Sequence, residues 1–144
     1  MHRALRELGL LLLLAAVPAL VAARWHPRRP GLATADVPSL SVTAAQSLAA
    51  NQPVLWIDAR REPDFAHAHI PGALQLNEDA WETLLPAVVA VWRPGQTVIV
   101  YCDTQSCNAS REVAARLQRE LPMKPVYVLE GGWAAWQRAP ARTH

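Results

Sequence analysis

Apolar residues in this chain fall in two kinds of pattern. Short, largely apolar runs occupy 54–57, 97–101 and 125–129, with a shorter one over 73–76 interrupted by Gln75. Between them are longer stretches in which apolar positions recur every three or four residues. Unbroken runs of four or five fit strands buried on both faces, and the three-to-four spacing fits amphipathic helices. The runs therefore predict strands, with a shorter extended piece over 40–42. The spacing predicts a helix over 43–50, with Thr43 and Gln46 in capping-box positions. A second helix is predicted over 78–91, with Trp81, Leu84, Leu85, Val88 and Val89 on its inner face and Pro86 as a blemish. A third covers 106–121, with Val113, Ala114, Leu117 and Leu121 inward. Gly131-Gly132 opens a last short helix around Trp133 and Trp136. Strands alternating with helices imply an α/β fold, a mostly parallel central sheet flanked by helices on both faces.

The first residues break this rhythm. Residues 8–23 are apolar without interruption, preceded by Arg3 and Arg6 and closed by the small residues Val21-Ala22-Ala23. That is the layout of a secretory signal peptide. The run of about 16 residues is at or just below what a bilayer requires. A retained membrane anchor, flanked by Trp25, is the alternative, and a buried amphipathic helix a third reading. Either leading case puts the body in the periplasm or outside the cell. Arg24, Arg28 and Arg29 match the charge ahead of the run, so a cytoplasmic-facing anchor stays open. Pro27, Pro30, Gly31 and Pro38 mark 24–38 as a linker. One domain is expected over 39–139 and a frayed tail over 140–144.

Composition adds exclusions. Half of the 144 residues are hydrophobic, 18% are charged and the net charge is +2. No basic stretch is interleaved with aromatics, so nucleic acid is not an expected partner. The two cysteines, Cys102 and Cys107, are too few for a disulfide scaffold, and their spacing is not a usual zinc pattern. His67 and His69 lack a clear third ligand, so no metal is expected, nor any cofactor. Trp56, Trp81 and Trp92 read as core or its edge. Cys102 directly follows the 97–101 strand and precedes a helix. Loop N–H groups and the helix dipole stabilise a sulfur anion at such a place, although a cysteine there can equally pack as a small hydrophobe.

Three segments resemble the rhodanese (sulfurtransferase) family. Ile57-Asp58-Ala59-Arg60 with Phe65 and His69-Ile70-Pro71-Gly72-Ala73 is similar to its first signature. Val98 to Cys102 is similar to its active-site strand and nucleophile. Val128-Leu129-Glu130-Gly131-Gly132-Trp133 with Trp136 is similar to its closing signature. The resemblance implies a rhodanese-like fold and a two-step transfer. Cys102 takes a sulfane sulfur from a donor such as thiosulfate or a persulfide, and a thiol or cyanide acceptor removes it. It also implies that the loop Asp103, Thr104, Gln105, Ser106 and Cys107 curls its N–H groups toward that sulfur. Asp58, Arg60 and His69 become structural supports, His69 ordering the Pro71-Gly72 turn. Trp133 and Trp136 either wall the cleft or simply pack.

The loop departs from the common pattern, in which Gly and Arg or Lys are frequent; it reads Cys-Asp-Thr-Gln-Ser-Cys. Its cation is missing, and Asp103 adds negative charge beside the nucleophile. Weak thiosulfate activity or a different donor is expected. Arg111 is the nearest cation in sequence. Cys107 can resolve a persulfide, pair with Cys102 as a disulfide, or fill the base of the loop. A non-catalytic module for partner binding and a thiol–disulfide sensor using both cysteines are the alternative functions. A phosphatase on this fold requires Arg where Asn108 stands.

Overall fold

A computed structural model describes residues 37–104 and 108–140. The leader, nearly all of the linker, the tail beyond 140, and Gln105, Ser106 and Cys107 lie outside the described residues. Among those described, five parallel strands form one sheet in the order β1-β5-β4-β2-β3. The strands are β1 (Ser39–Leu40), β2 (Val54–Asp58), β3 (Leu74–Gln75), β4 (Thr97–Tyr101) and β5 (Val126–Leu129). The helices are α1 (Val42–Asn51), α2 (Glu62–His67), α3 (Trp81–Val91), α4 (Ala109–Glu120) and α5 (Gly132–Arg138).

β4 lies at the centre, paired with β2 and β5 and buried at every residue. Its side chains alternate between two cores, as the period of two requires. Val98, Val100 and the following Cys102 join Leu55, Ile57, Val126 and Val128 beneath α3 and α4. Ile99 and Tyr101 join Trp56, Leu129, Trp133 and Trp136 on the face carrying α1 and α5. An unbroken apolar run is thus two half-strands facing opposite ways, each covered by helices. Arg116 fastens α4 beside α3: its guanidinium lies 4.1 Å from the Trp81 ring and reaches Glu78 at 2.7 Å and Glu120 at 3.0 Å.

Four local expectations are corrected. α1 begins at Val42, not Thr43; its cap is Ser41, whose Oγ accepts from the Ala44 N–H at 3.3 Å. α3 starts at Trp81, three residues later than predicted, and continues past Pro86 to Val91. Val89 faces outward and is 45% exposed. At 3.6 residues per turn it sits about 80° round the helix from Trp81, outside the stripe that Leu84, Leu85 and Val88 define. α2 is not predicted by periodicity, because six residues hold too few apolar positions. Pro63 near its start and Glu62 and Asp64 in its first turn are the marks of its N-terminus.

Candidate active site

Cys102 is the first residue past β4, and its parity with Val98 and Val100 directs its side chain toward α4. There Sγ lies 3.4 Å from the Ser110 hydroxyl and 3.5 Å from the Thr104 carbonyl oxygen. Cys102 is 2% exposed and Ser110 3%. The thiol forms part of a cleft of about 320 Å³ bounded also by Ala59, Arg60, Asn77 and Asp103. A thiolate carries no proton, so when Cys102 ionises the Ser110 O–H must be the donor. Sequence reasoning passed over Ser110. Starting the helix at Ser106 put Ser110 in its second turn, whereas the observed start at Ala109 puts it in the first, beside the nucleophile. Ser110→Ala is expected to slow alkylation of Cys102 by iodoacetamide about tenfold at neutral pH, with the loss of one hydrogen bond to a charged group. Equal rates across the pH range for the two proteins would remove Ser110 from the site.

The loop's path is set from the other face of the sheet. The N–H of Trp133 donates to the Cys102 carbonyl at 2.7 Å, and that of Ala134 to the Asp103 carbonyl at 3.0 Å. Because a peptide unit is planar and trans, the N–H groups of Asp103 and Thr104 point the opposite way from those carbonyls. This approach requires a glycine at 132, where φ is +55° and a Cβ would overlap the Cys102 carbonyl oxygen. The Gly-Gly pair is therefore a contact surface for the nucleophile's own backbone.

Asp58 and Arg60 form a buried pair at the end of β2. Arg60 Nη2 reaches Asp58 Oδ2 at 2.6 Å, Nε lies 3.0 Å from Oδ1, and the Arg60 backbone N–H donates to Oδ1 at 2.9 Å. The Arg60 side chain is 5% exposed and that of Asp58 0%. Arg60 Nη2 also donates to the Ala68 carbonyl at 2.7 Å, which ties the end of α2 to the sheet. The guanidinium lies 5.0 Å from the Trp133 ring and 5.8 Å from the Tyr101 ring. Burial opposes its charge, but the hydrogen bonds and charge of Asp58 outweigh burial and hold its pKa above the usual value, with Tyr101 and Asp103 adding to the effect. Burial likewise pushes the Tyr101 phenol up, so it stays neutral. Its oxygen accepts from the Ile70 N–H at 3.0 Å.

The structure brings some predicted residues together and separates others. Asp103 faces Arg60, Oδ1 to Nη1 at 3.5 Å, with its side chain 57% exposed. Arg60, not Arg111, is thus the cation that reaches Asp103, and its charge is already matched by buried Asp58. Arg111 instead borders a separate polar cavity of about 140 Å³ with Ser39, Thr104 and Glu130. His69 does not bond the Pro71-Gly72 turn. Its Nδ1 is 2.8 Å from the Phe65 carbonyl oxygen and its ring stacks on Phe65 at 4.1 Å, so it braces the end of α2. The turn is closed by the Ala73 N–H donating to the Ile70 carbonyl. Trp133 and Trp136 do not wall the Cys102 cleft. They line a larger apolar cavity, about 660 Å³, with Trp56, Ile70, Ala49 and Ala50 on the opposite face. Asn108 immediately precedes α4. Among the described residues, no three His, Cys, Asp or Glu side chains converge as metal ligands, and no helix is long and apolar enough to cross a membrane.

The family model for the rhodanese-like domain matches residues 41–139. Among solved structures, a rhodanese-like domain protein from Staphylococcus aureus is 21% identical, covering 69% of this chain and 90% of its own, with a TM-score of 0.55. A thiosulfate sulfurtransferase from Pseudomonas aeruginosa is 26% identical over 70% of this chain and 19% of its own, with a TM-score of 0.52. A protein of unknown function from Rhodopseudomonas palustris, described as a possible tyrosine phosphatase, is 22% identical over 70% of this chain and 80% of its own, with a TM-score of 0.55. The likenesses to the Staphylococcus and Rhodopseudomonas proteins speak for the fold alone. The family match and the sulfurtransferase likeness support a sulfurtransferase-type fold.

Proposed function

The chain belongs to the rhodanese-like domain family, and from that premise we propose that it is a sulfurtransferase or sulfur carrier working through a persulfide on Cys102. One observation carries the reading: Cys102 lines a cleft at the carboxyl end of the central strand, with the Ser110 hydroxyl 3.4 Å from its sulfur. A parallel sheet collects its chemistry at this end.

In the first step the Cys102 thiolate attacks the sulfane sulfur of a donor. With thiosulfate, a new S–S bond forms, the donor's S–S bond breaks, and sulfite leaves with the electron pair. In the second, cyanide or a thiolate attacks the outer sulfur and Cys102 departs as the thiolate. Ser110 is suited to donate to the anion in the thiolate stage. Asp103, exposed beside the nucleophile, disfavours a dianionic donor, which supports weak thiosulfate activity and a persulfide as the better donor. The leader-like residues 1–23 support an exported or membrane-tethered setting with the domain in the periplasm.

Intact-mass spectrometry tests the reading. The reduced full chain, exposed to thiosulfate or to a low-molecular-weight persulfide, should gain one sulfur, about 32 Da, and lose it to cyanide. No adduct from either donor, with Cys102 still open to alkylation, would sink the sulfur-carrier reading in favour of a binding module or a thiol sensor.

A further inference from the structure

The charge around Cys102 identifies the chemistry of the molecule that meets it. The cleft is bounded by five carboxylates, Asp64, Glu78, Asp79, Asp103 and Glu112, against the guanidinium groups of Arg60 and Arg61. Neither arginine offsets the rim. Arg60 is matched from below by buried Asp58 and offers Asp103 only Nη1, at 3.5 Å. Arg61 is spent on Asp79 at 3.3 Å, out in solvent. Glu78 is engaged by Arg116 at 2.7 Å. Asp64 and Glu112 face the cleft with no ion pair among the described residues, and Asp103 has its one distant partner. An incoming molecule therefore meets negative potential around a sulfur that is itself anionic in both steps. Such a rim raises the local concentration of cations and repels anions.

Resting on the persulfide reading, we propose that the physiological partner of Cys102 is a cationic thiol or its persulfide, with an ammonium or guanidinium group beside the sulfur. The acceptor's cation meets Asp64, Asp103 and Glu112 while its thiolate attacks the outer sulfur of the Cys102 persulfide. The S–S bond to Cys102 breaks, Cys102 leaves as the thiolate, and nothing is oxidised overall. A small aminothiol and a cysteine flanked by basic residues in a protein share this chemistry.

Two arms test it, using the full chain with Cys107→Ser so that Cys102 is the one thiol. In the first, Cys102 reacts with a trimethylammonium-ethyl and with a sulfonato-ethyl methanethiosulfonate. Each rate is divided by that of a small free thiol with the same reagent. The cationic reagent should be favoured on the order of tenfold at low salt. The preference should shrink several-fold in about 1 M salt, where the screening length falls to roughly 3 Å. It should also shrink in the double variant Asp64→Asn, Glu112→Gln. An equal or inverted ratio overturns the proposal, even where sulfur still loads onto Cys102. In the second arm, persulfidated Cys102 is offered cysteamine, 3-mercaptopropionate and a lysine-flanked cysteine peptide, each rate scaled to its thiolate fraction. Transfer to cysteamine and the peptide should outrun transfer to the anionic thiol. A peptide faster than cysteamine assigns a protein partner, and the reverse order a small aminothiol. Mercaptopropionate as the best acceptor overturns the proposal. A charge preference without sulfur loading from any donor overturns the persulfide reading and, with it, the assignment of a sulfur-bearing partner.

Discussion

Cys102→Ser is expected to abolish sulfur loading entirely while leaving the fold nearly as stable. A serine hydroxyl is not ionised near neutral pH and forms no persulfide, so the 32 Da adduct should vanish with every donor. The folding cost should be small. The side chain is 2% exposed, and the new hydroxyl would meet the Ser110 oxygen and the Thr104 carbonyl that the thiol meets now. A satisfied hydroxyl of slightly smaller volume should change stability by no more than about 1 kcal/mol. Mass spectra and urea unfolding curves of the two proteins check both halves. An adduct that persists in Cys102→Ser would move the sulfur chemistry to Cys107.

The largest loss of stability is expected from Asp58→Ala. The substitution leaves the Arg60 guanidinium buried without its counter-ion and removes the acceptor of the Arg60 backbone N–H. Breaking a buried pair from one side typically costs about 3–5 kcal/mol. For a domain of this size that lowers the melting temperature by more than about 10 °C. The double variant Asp58→Leu, Arg60→Met should recover most of the loss, because it buries no unpaired charge. Thermal unfolding of the three proteins decides it. A loss under about 1 kcal/mol for Asp58→Ala would mean that Arg60 escapes to solvent, and that it does not hold the position beside Asp103, Tyr101 and Trp133 described here.

How much of this was legible in the sequence depended on whether the signal was local. The 97–101 run reads as a strand because both of its faces are covered, leaving no polar position to interrupt it. Cys102 was found because it is the first residue past that run. α4 was legible for the complementary reason: Val113, Ala114 and Leu117 recur on one face of an otherwise polar stretch. Arg60 was named as a support, but its approach to Asp103 was not foreseen, since the two are far apart in sequence and meet only because β2 and β4 are paired in register, Asp58 opposite Tyr101. The same lack of a local signal hid the separation of Trp133 and Trp136 from the cleft. Their sequence neighbourhood places them after the active-site elements, and only the alternation of β4 shows that they serve the opposite face. Ser110 was missed through a boundary three residues out, which moved it from the first turn of the helix, beside the loop, to the second.

The grip of α5 on the Cys102 and Asp103 carbonyls also has a consequence in time. Synthesis runs from the N-terminus, and the donors at Trp133 and Ala134 are made about thirty residues after Cys102. β1 likewise waits for β5, its neighbour in the sheet. A nascent chain can carry the whole of β4 and its cysteine while the segment that shapes the loop is still inside the ribosome. The thiol is present before its environment is, so the order of manufacture leaves the reactive atom as an ordinary exposed cysteine until α5 docks. Maturation of the nucleophile is thus coupled to emergence of α5, and a chain cut short before Gly131 would keep its sulfur but lose the means to shape the loop around it.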